Sequence, residues 1–241
     1  MELNLPEIQL FKKTGIRTKK NHLIHFVKAK SKVNGEVVSV ERTSFTIRID
    51  NGTEYFIASN KKKIPENKSH VILSEKFKRE DIDNENIEPI KWLKHPDIRE
   101  YSPQEIRETW SDTFTFKKEN QSNNILGLRN PQIGAIFSIL GHLTNAKEIA
   151  TVVLPTGTGK TETMLSVLVA NQCEKLLVTV PSDSLRIQLA KKFIDLGLLK
   201  LEDNNGKTIL KSSAKYPKVG ILNTGFNTIQ EYPLYKPRLA S

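Results

Sequence analysis

The 241 residues carry 37% apolar and 27% charged side chains, a globular balance long enough for one large domain or two small ones. The single cysteine, Cys173, excludes an internal disulfide and a cysteine-based zinc quartet, and the longest apolar-rich run, residues 133–143, falls well short of the ~20 that span a bilayer. With no apolar signal segment at the start, the chain reads as a reduced, soluble, cytoplasmic protein, whose formal charge of +10 favours a polyanionic partner.

The first twenty residues are irregular and basic, and residues 11–35 hold eight Lys/Arg and no acid. Such cations could neutralise backbone phosphates without reading sequence, or form a plain solvated arm. From Leu23 to about Leu73 the pattern is strand-like. Val37, Val38 and Val40 lead into Phe45, Ile47 and Ile49, and Asn51-Gly52 supplies a hairpin turn before Tyr55-Phe56-Ile57. Asn34-Gly35 reads as an earlier turn of the same kind. Short strands at this spacing predict a small antiparallel β-barrel, SH3-like or oligonucleotide-binding in type. It could contact nucleic acid or serve as a plain interaction module.

Further on, Ser102-Pro103 followed by Glu105 predicts a helix start, with Ser as N-cap and Glu closing a capping box, and an end near Thr113. Residues 117–124 are polar and read as a linker. Beyond 125 helices and strands alternate. Asn130 caps a helix running to about Leu143, and an apolar strand is expected over 149–154. A helix over 160–172, a strand over 175–180, a helix over 182–196 and a strand over 218–222 follow. Continuous apolar strands between helices predict a parallel sheet covered on both faces. The expected organisation is a basic β-rich domain over 1–100, a helix and linker over 101–124, and an α/β domain over 125–241.

The chemistry concentrates in Leu154-Pro155-Thr156-Gly157-Thr158-Gly159-Lys160-Thr161-Glu162, placed between an expected strand and an expected helix. Gly157 and Gly159 let the backbone turn tightly and approach a phosphate, and the helix N-terminus offers free N–H groups. Lys160 would neutralise the β- and γ-phosphates, and the Thr161 hydroxyl would coordinate Mg²⁺. The strict G-x-x-x-x-G-K-[ST] pattern is not met, because Leu154 stands at its first position. Gly206-Lys207-Thr208 repeats the last three letters, but Glu202 and Asp203 precede it and no strand leads in; it reads as a loop. His22 and His25 lack the Cys, His or acid neighbours of a metal site.

This loop resembles motif I of superfamily 2 helicases, the DEAD/DEAH and type III restriction-subunit group. Arg129-Asn130-Pro131-Gln132, about 20 residues upstream, is similar to the family's adenine-sensing element. Pro181-Ser182-Asp183-Ser184-Leu185-Arg186-Ile187-Gln188 resembles motif Ia, which holds the nucleic-acid backbone. Leu185, Leu189, Phe193 and Leu196 recur at helical spacing and are expected in the core, leaving Pro181, Ser182, Arg186 and Gln188 as candidate contacts. The resemblance implies a RecA-like fold, ATP and Mg²⁺ as cofactors with Arg129, Gln132 and residues 155–162 binding them, Lys160 as the catalytic residue, and nucleic acid as partner, DNA before RNA. Prokaryotic restriction and phage-defence helicases share the pattern, which implies other subunits of a defence complex as partners.

Hydrolysis in that family requires an Asp-Glu motif at the end of a later strand, and no Asp-Glu pair follows Thr161. The expectation is an N-terminal, incomplete first lobe with negligible ATP hydrolysis of its own. The alternative is a non-catalytic nucleic-acid-binding or adaptor protein built on a degenerate helicase lobe.

Overall fold

Period-two alternation does build strands in the first hundred residues. The computed structural model describes residues 1–14, 21–61, 64–145 and 148–222. Among these the strands are β1 (Glu2–Leu5), β2 (Ile8–Thr14), β3 (Asn21–Lys28), β4 (Ser31–Val40), β5 (Ser44–Ile49), β6 (Glu54–Ala58), β7 (Val71–Ser74), β8 (Pro89–Lys94) and β9 (Lys218–Ile221). The α-helices are α1 (Arg79–Asp83), α2 (Pro103–Glu108), α3 (Asn130–Asn145), α4 (Lys160–Ala170) and α5 (Asp183–Asp195). The fold is mixed α/β and divides into two units, residues 1–10 with 26–100, and residues 11–25 with 101–241. No helix among the described residues is long and apolar enough to cross a membrane.

The first unit is a six-stranded sheet in the order β1-β4-β5-β6-β7-β8. Alternate side chains of β5 and β6 go to opposite faces, so Phe45, Ile47, Tyr55 and Ile57 join Leu3, Leu5, Ile72 and Trp92 in one core, while Phe56, Ala58 and Val71 form a second. The Asn51-Gly52 turn closes the β5–β6 hairpin, the Gly52 N–H donating to Ile49 O at 2.8 Å. Asn34-Gly35, by contrast, is not a turn: it lies inside β4, where Gly35 faces Ile49 of β5. A Cβ there would meet Ile47 Cγ2 at 2.4 Å, so this glycine serves close strand approach rather than reversal. Nor is the sheet purely antiparallel, because β6 and β7 run parallel. β1 and β8 remain its two edges, so the order is that of an open sheet rather than a closed barrel. It nevertheless curls, since the Trp92 indole N–H of β8 donates to Pro6 O, just beyond β1, at 2.6 Å. Residues 15–20 of the basic run lie outside the described residues.

In the second unit α2 carries the expected capping box: the Glu105 N–H donates to Ser102 Oγ at 3.1 Å, and the Ser102 N–H to a Glu105 carboxylate oxygen at 2.6 Å. This helix ends at Glu108, earlier than expected, and turns carry the chain to Thr113. Residues 117–124, expected as a linker, are hydrogen-bonded into the unit. Leu128 N–H donates to Lys117 O at 2.8 Å, Glu119 N–H to Leu128 O at 2.9 Å, and Lys117 pairs with Asp203 at 2.6 Å.

Helices α3, α4 and α5 fall where the sequence puts them, but the parallel sheet between them does not appear among the described residues. The apolar runs 149–154 and 175–180 are not strands, and Ile149, Val153 and Leu177 are 98%, 86% and 72% exposed. The third expected strand, β9, forms, yet it pairs antiparallel with His22–His25 of β3, in a three-stranded sheet ordered β2-β3-β9. With β9 committed to that neighbour, no strand among the described residues forms a ladder with the two apolar runs. α4 is held instead by helices, packing against α3, α5 and the short turn 197–200. Leu185, expected in the core, is exposed, whereas Phe193 and Leu196 are buried as expected; on α3 Ile136 is buried and Phe137 exposed.

Candidate functional site

The loop leading into α4 is shaped by two left-handed glycines. Gly157 has φ +80° and Gly159 φ +86°, conformations that cost an L side chain about 1–2 kcal/mol. Pro155 O organises the turn by accepting from Thr158 N–H at 3.3 Å, Thr158 Oγ1 at 2.7 Å and Lys160 Nζ at 3.4 Å. Gly159 is the N-terminal cap of α4, which runs eleven residues with Leu165, Leu168 and Val169 buried. The unpaired amides of the first turn therefore face the loop, the arrangement that suits an anion.

α3 grips this loop from behind. Gln132, 2% exposed, donates through Nε2 to Gly159 O at 3.1 Å and accepts the Arg129 N–H on Oε1 at 2.7 Å. The Arg129 guanidinium donates to Gly157 O at 2.8 Å and lies 3.4 Å from the Glu119 carboxylate. Both residues expected to sense a base thus hold the carbonyls of the two glycines. One Gln132 N–H and one oxygen lone pair are left over.

Thr156 and Lys160 are exposed, while Thr158, Thr161 and Glu162 are half-buried. The Glu162 carboxylate forms an ion pair with Lys192 of α5. That cross-link was not visible in the sequence, because nothing in a helical spacing joins positions thirty residues apart; the Glu119 contact was missed because its segment read as linker. On α5, Ser182 Oγ caps the helix by accepting from Leu185 N–H at 3.3 Å, and Arg186 pairs with Asp183 at 3.2 Å. Pro181 and Gln188 are exposed. The structure thus joins the two upstream residues to the loop directly, and the motif Ia helix to it through Glu162 and Lys192.

Residues 125–230 match the family model of the type III restriction enzyme, res subunit. The segment is superfamily 2 helicase-like. It spans fewer than half of the 241 residues. No curated protein and no solved structure matches the chain.

Within this res-subunit-like segment the loop's donor set fits a triphosphate: two glycines, an eleven-residue helix start and an ammonium with one weak contact. A divalent ion is less well provided for. Thr161 offers a hydroxyl, Glu162 is engaged by Lys192, and no group of three His, Cys, Asp or Glu among the described residues could hold a metal.

The look-alike Gly206-Lys207-Thr208 shows why three letters do not make a site. Asp203 folds its carboxylate into the turn and accepts from Asn205 N–H and Lys207 N–H, both at 2.9 Å, so the amides an anion would use are already taken. The Lys117 ammonium, then those backbone donors, lower the Asp203 pKa to about 2. A depressed carboxylate contributes stability above its unfolded value near 4 and loses it as pH falls toward 2. The expected result is that Asp203→Asn lowers the urea midpoint at pH 6, and that the gap to the parent closes between about pH 4 and 2. A gap independent of pH would mean that the charge is not what closes the turn.

Proposed function

We propose that this chain is the nucleotide-binding part of an ATP-dependent nucleic-acid motor of superfamily 2. The observation that carries the reading is the loop 155–161, with two left-handed glycines, opening α4 and clamped by Arg129 and Gln132. In this reading the amides of the loop and Lys160 bind the triphosphate, and the leftover Gln132 N–H and oxygen lone pair are the groups available to read adenine. The Thr161 hydroxyl would hold Mg²⁺, which would supply charge neutralisation at the phosphates. Ser182 and Arg186, with Pro181 and Gln188 beside them, touch the nucleic-acid backbone, DNA before RNA. The Ser182 hydroxyl, 3.2 Å from Ser184 Oγ, can donate or accept, and the Arg186 guanidinium is a planar donor suited to phosphate oxygens.

Hydrolysis by the 241 residues alone is expected to be negligible. No Asp-Glu pair follows Thr161, and the nearest carboxylate, Glu162, is neutralised by Lys192 rather than free to orient water. The full activity then belongs to an assembly with further subunits, in a cytoplasmic defence against foreign DNA.

The test is titration of the full chain with a fluorescent ATP analogue and Mg²⁺. Saturable binding is expected, and Lys160→Ala should weaken it about a hundredfold, the loss of one or two charge-assisted hydrogen bonds. The melting temperature should not move, because the only hydrogen bond Lys160 Nζ makes among the described residues is the 3.4 Å contact with Pro155 O. No binding, or binding indifferent to Lys160→Ala, would overturn the reading. The incomplete metal site favours one rival, a nucleic-acid adaptor on a helicase-like scaffold. There oligonucleotide affinity would be unaffected by ATP and by Lys160→Ala alike.

A further inference from the structure

The first unit holds a cluster of rings with a mismatch in its hydrogen bonding. His95, just beyond β8, has a side chain only 4% exposed, packed between Trp92 at 4.5 Å and His70 at 4.8 Å between ring centroids. Burial, then the Lys28 ammonium, lowers its pKa to about 4, with His70 adding to that and Asp97 opposing it. At neutral pH the ring is therefore uncharged and carries one proton. The Asp97 N–H points at Nδ1 from 3.0 Å and needs the lone pair there. The proton accordingly sits on Nε2, an assignment made from this hydrogen bond.

Nε2 faces another donor. The Lys28 ammonium lies 3.5 Å away, at the outer limit of a hydrogen bond. Two N–H donors, one of them charged, thus converge with no acceptor between them. An anionic oxygen about 2.8 Å from both would satisfy each, as charge-assisted hydrogen bonds do. His95 also lines an open cavity of about 330 Å³ with Ser69, Leu93, Lys94, Pro96 and Ile98. Lys94 donates to Pro65 O at 3.2 Å and Glu66 O at 3.3 Å, which leaves its third N–H for a ligand. The Asp97 carboxylate sits on the far, Nδ1 side of the ring, 3.6 Å from it.

We propose that Lys28 and His95, with Lys94 at the rim, form a phosphate site at the end of β8. It takes one phosphate group, either of a nucleic-acid backbone or of free phosphate. A phosphate fits better than a carboxylate because its four oxygens can give Lys28, His95 and Lys94, which lines the same cavity as His95, a separate acceptor each, where a carboxylate has two. This proposal does not rest on the motor reading, since every residue in it lies in the other unit.

The experiment follows the His95 ring protons by NMR in the full chain carrying Lys160→Ala, so that the α4 loop does not contribute. Inorganic phosphate and a short oligothymidine are the two probes. Saturable displacement of the His95 signal is expected, with its titration midpoint moving upward, because an anion stabilises the imidazolium. Lys28→Met should weaken the effect about tenfold, and Lys28→Arg should restore most of it. Displacement by oligothymidine at much lower concentration than by phosphate assigns the site to a nucleic-acid backbone; displacement by phosphate alone assigns it to the free ion. A His95 signal unmoved by both probes, or moved equally in Lys28→Met, overturns the proposal.

Discussion

Gly159→Ala should cost about 2–4 kcal/mol of stability and abolish nucleotide binding, although it adds one methyl group. Two effects combine. The backbone there has φ +86°, which an alanine tolerates poorly, and an added Cβ would lie 2.0 Å from Gln132 Nε2. Gln132 cannot swing aside cheaply, because it is buried and tied at both ends, to Arg129 N–H and to Gly159 O. Displacing it leaves buried polar groups without partners and frees the loop from α3. Urea denaturation and titration with the ATP analogue check both parts. Repeating Gly159→Ala on a Gln132→Ala background separates them: there it should cost only the backbone share, about 1–2 kcal/mol. An equal cost on both backgrounds would show that the glutamine is not what the methyl group meets.

Local chemistry was legible wherever the responsible groups lie within a few residues. Ser102 and Glu105 cap α2 reciprocally, Asn51-Gly52 turns a hairpin, and the 155–161 loop curls ahead of α4, each driven by hydrogen bonds its own segment supplies. What was not legible depends on a neighbour. Gly35 sits beside an asparagine, as a turn glycine would, and only the approach of β5 shows why it is needed mid-strand. The pairing of β3 with β9 joins segments from opposite ends of the chain, and no periodicity encodes that choice. For the site, motif spacing placed Arg129, Gln132 and Lys160 in one region, but it gave them to the ligand. The structure shows the first two also bonded to the loop itself. The Glu162–Lys192 pair belongs to tertiary packing between α4 and α5. An apolar run, finally, states what a segment would bury, not whether a partner is there to bury it against.

That last distinction predicts an inverted pattern of sensitivity. Leu165→Ala should cost about 2–5 kcal/mol, because Leu165 is fully buried on α4 and truncation leaves a cavity. Val153→Ala and Leu177→Ala should each stay within about 0.5 kcal/mol of the parent, since 86% and 72% of those residues face solvent. In a covered parallel sheet the order would differ, with all three costing whole kilocalories. The contrast bears on function because α4 positions the phosphate loop. If α3, α5 and the 197–200 turn hold α4 without a sheet, Leu165→Ala should weaken binding of the ATP analogue while Val153→Ala and Leu177→Ala leave it unchanged. Denaturation midpoints and binding curves for the three variants decide the matter. A loss of more than about 2 kcal/mol in Val153→Ala or Leu177→Ala would mean that these runs are buried in solution, and that the loop is carried by a sheet after all.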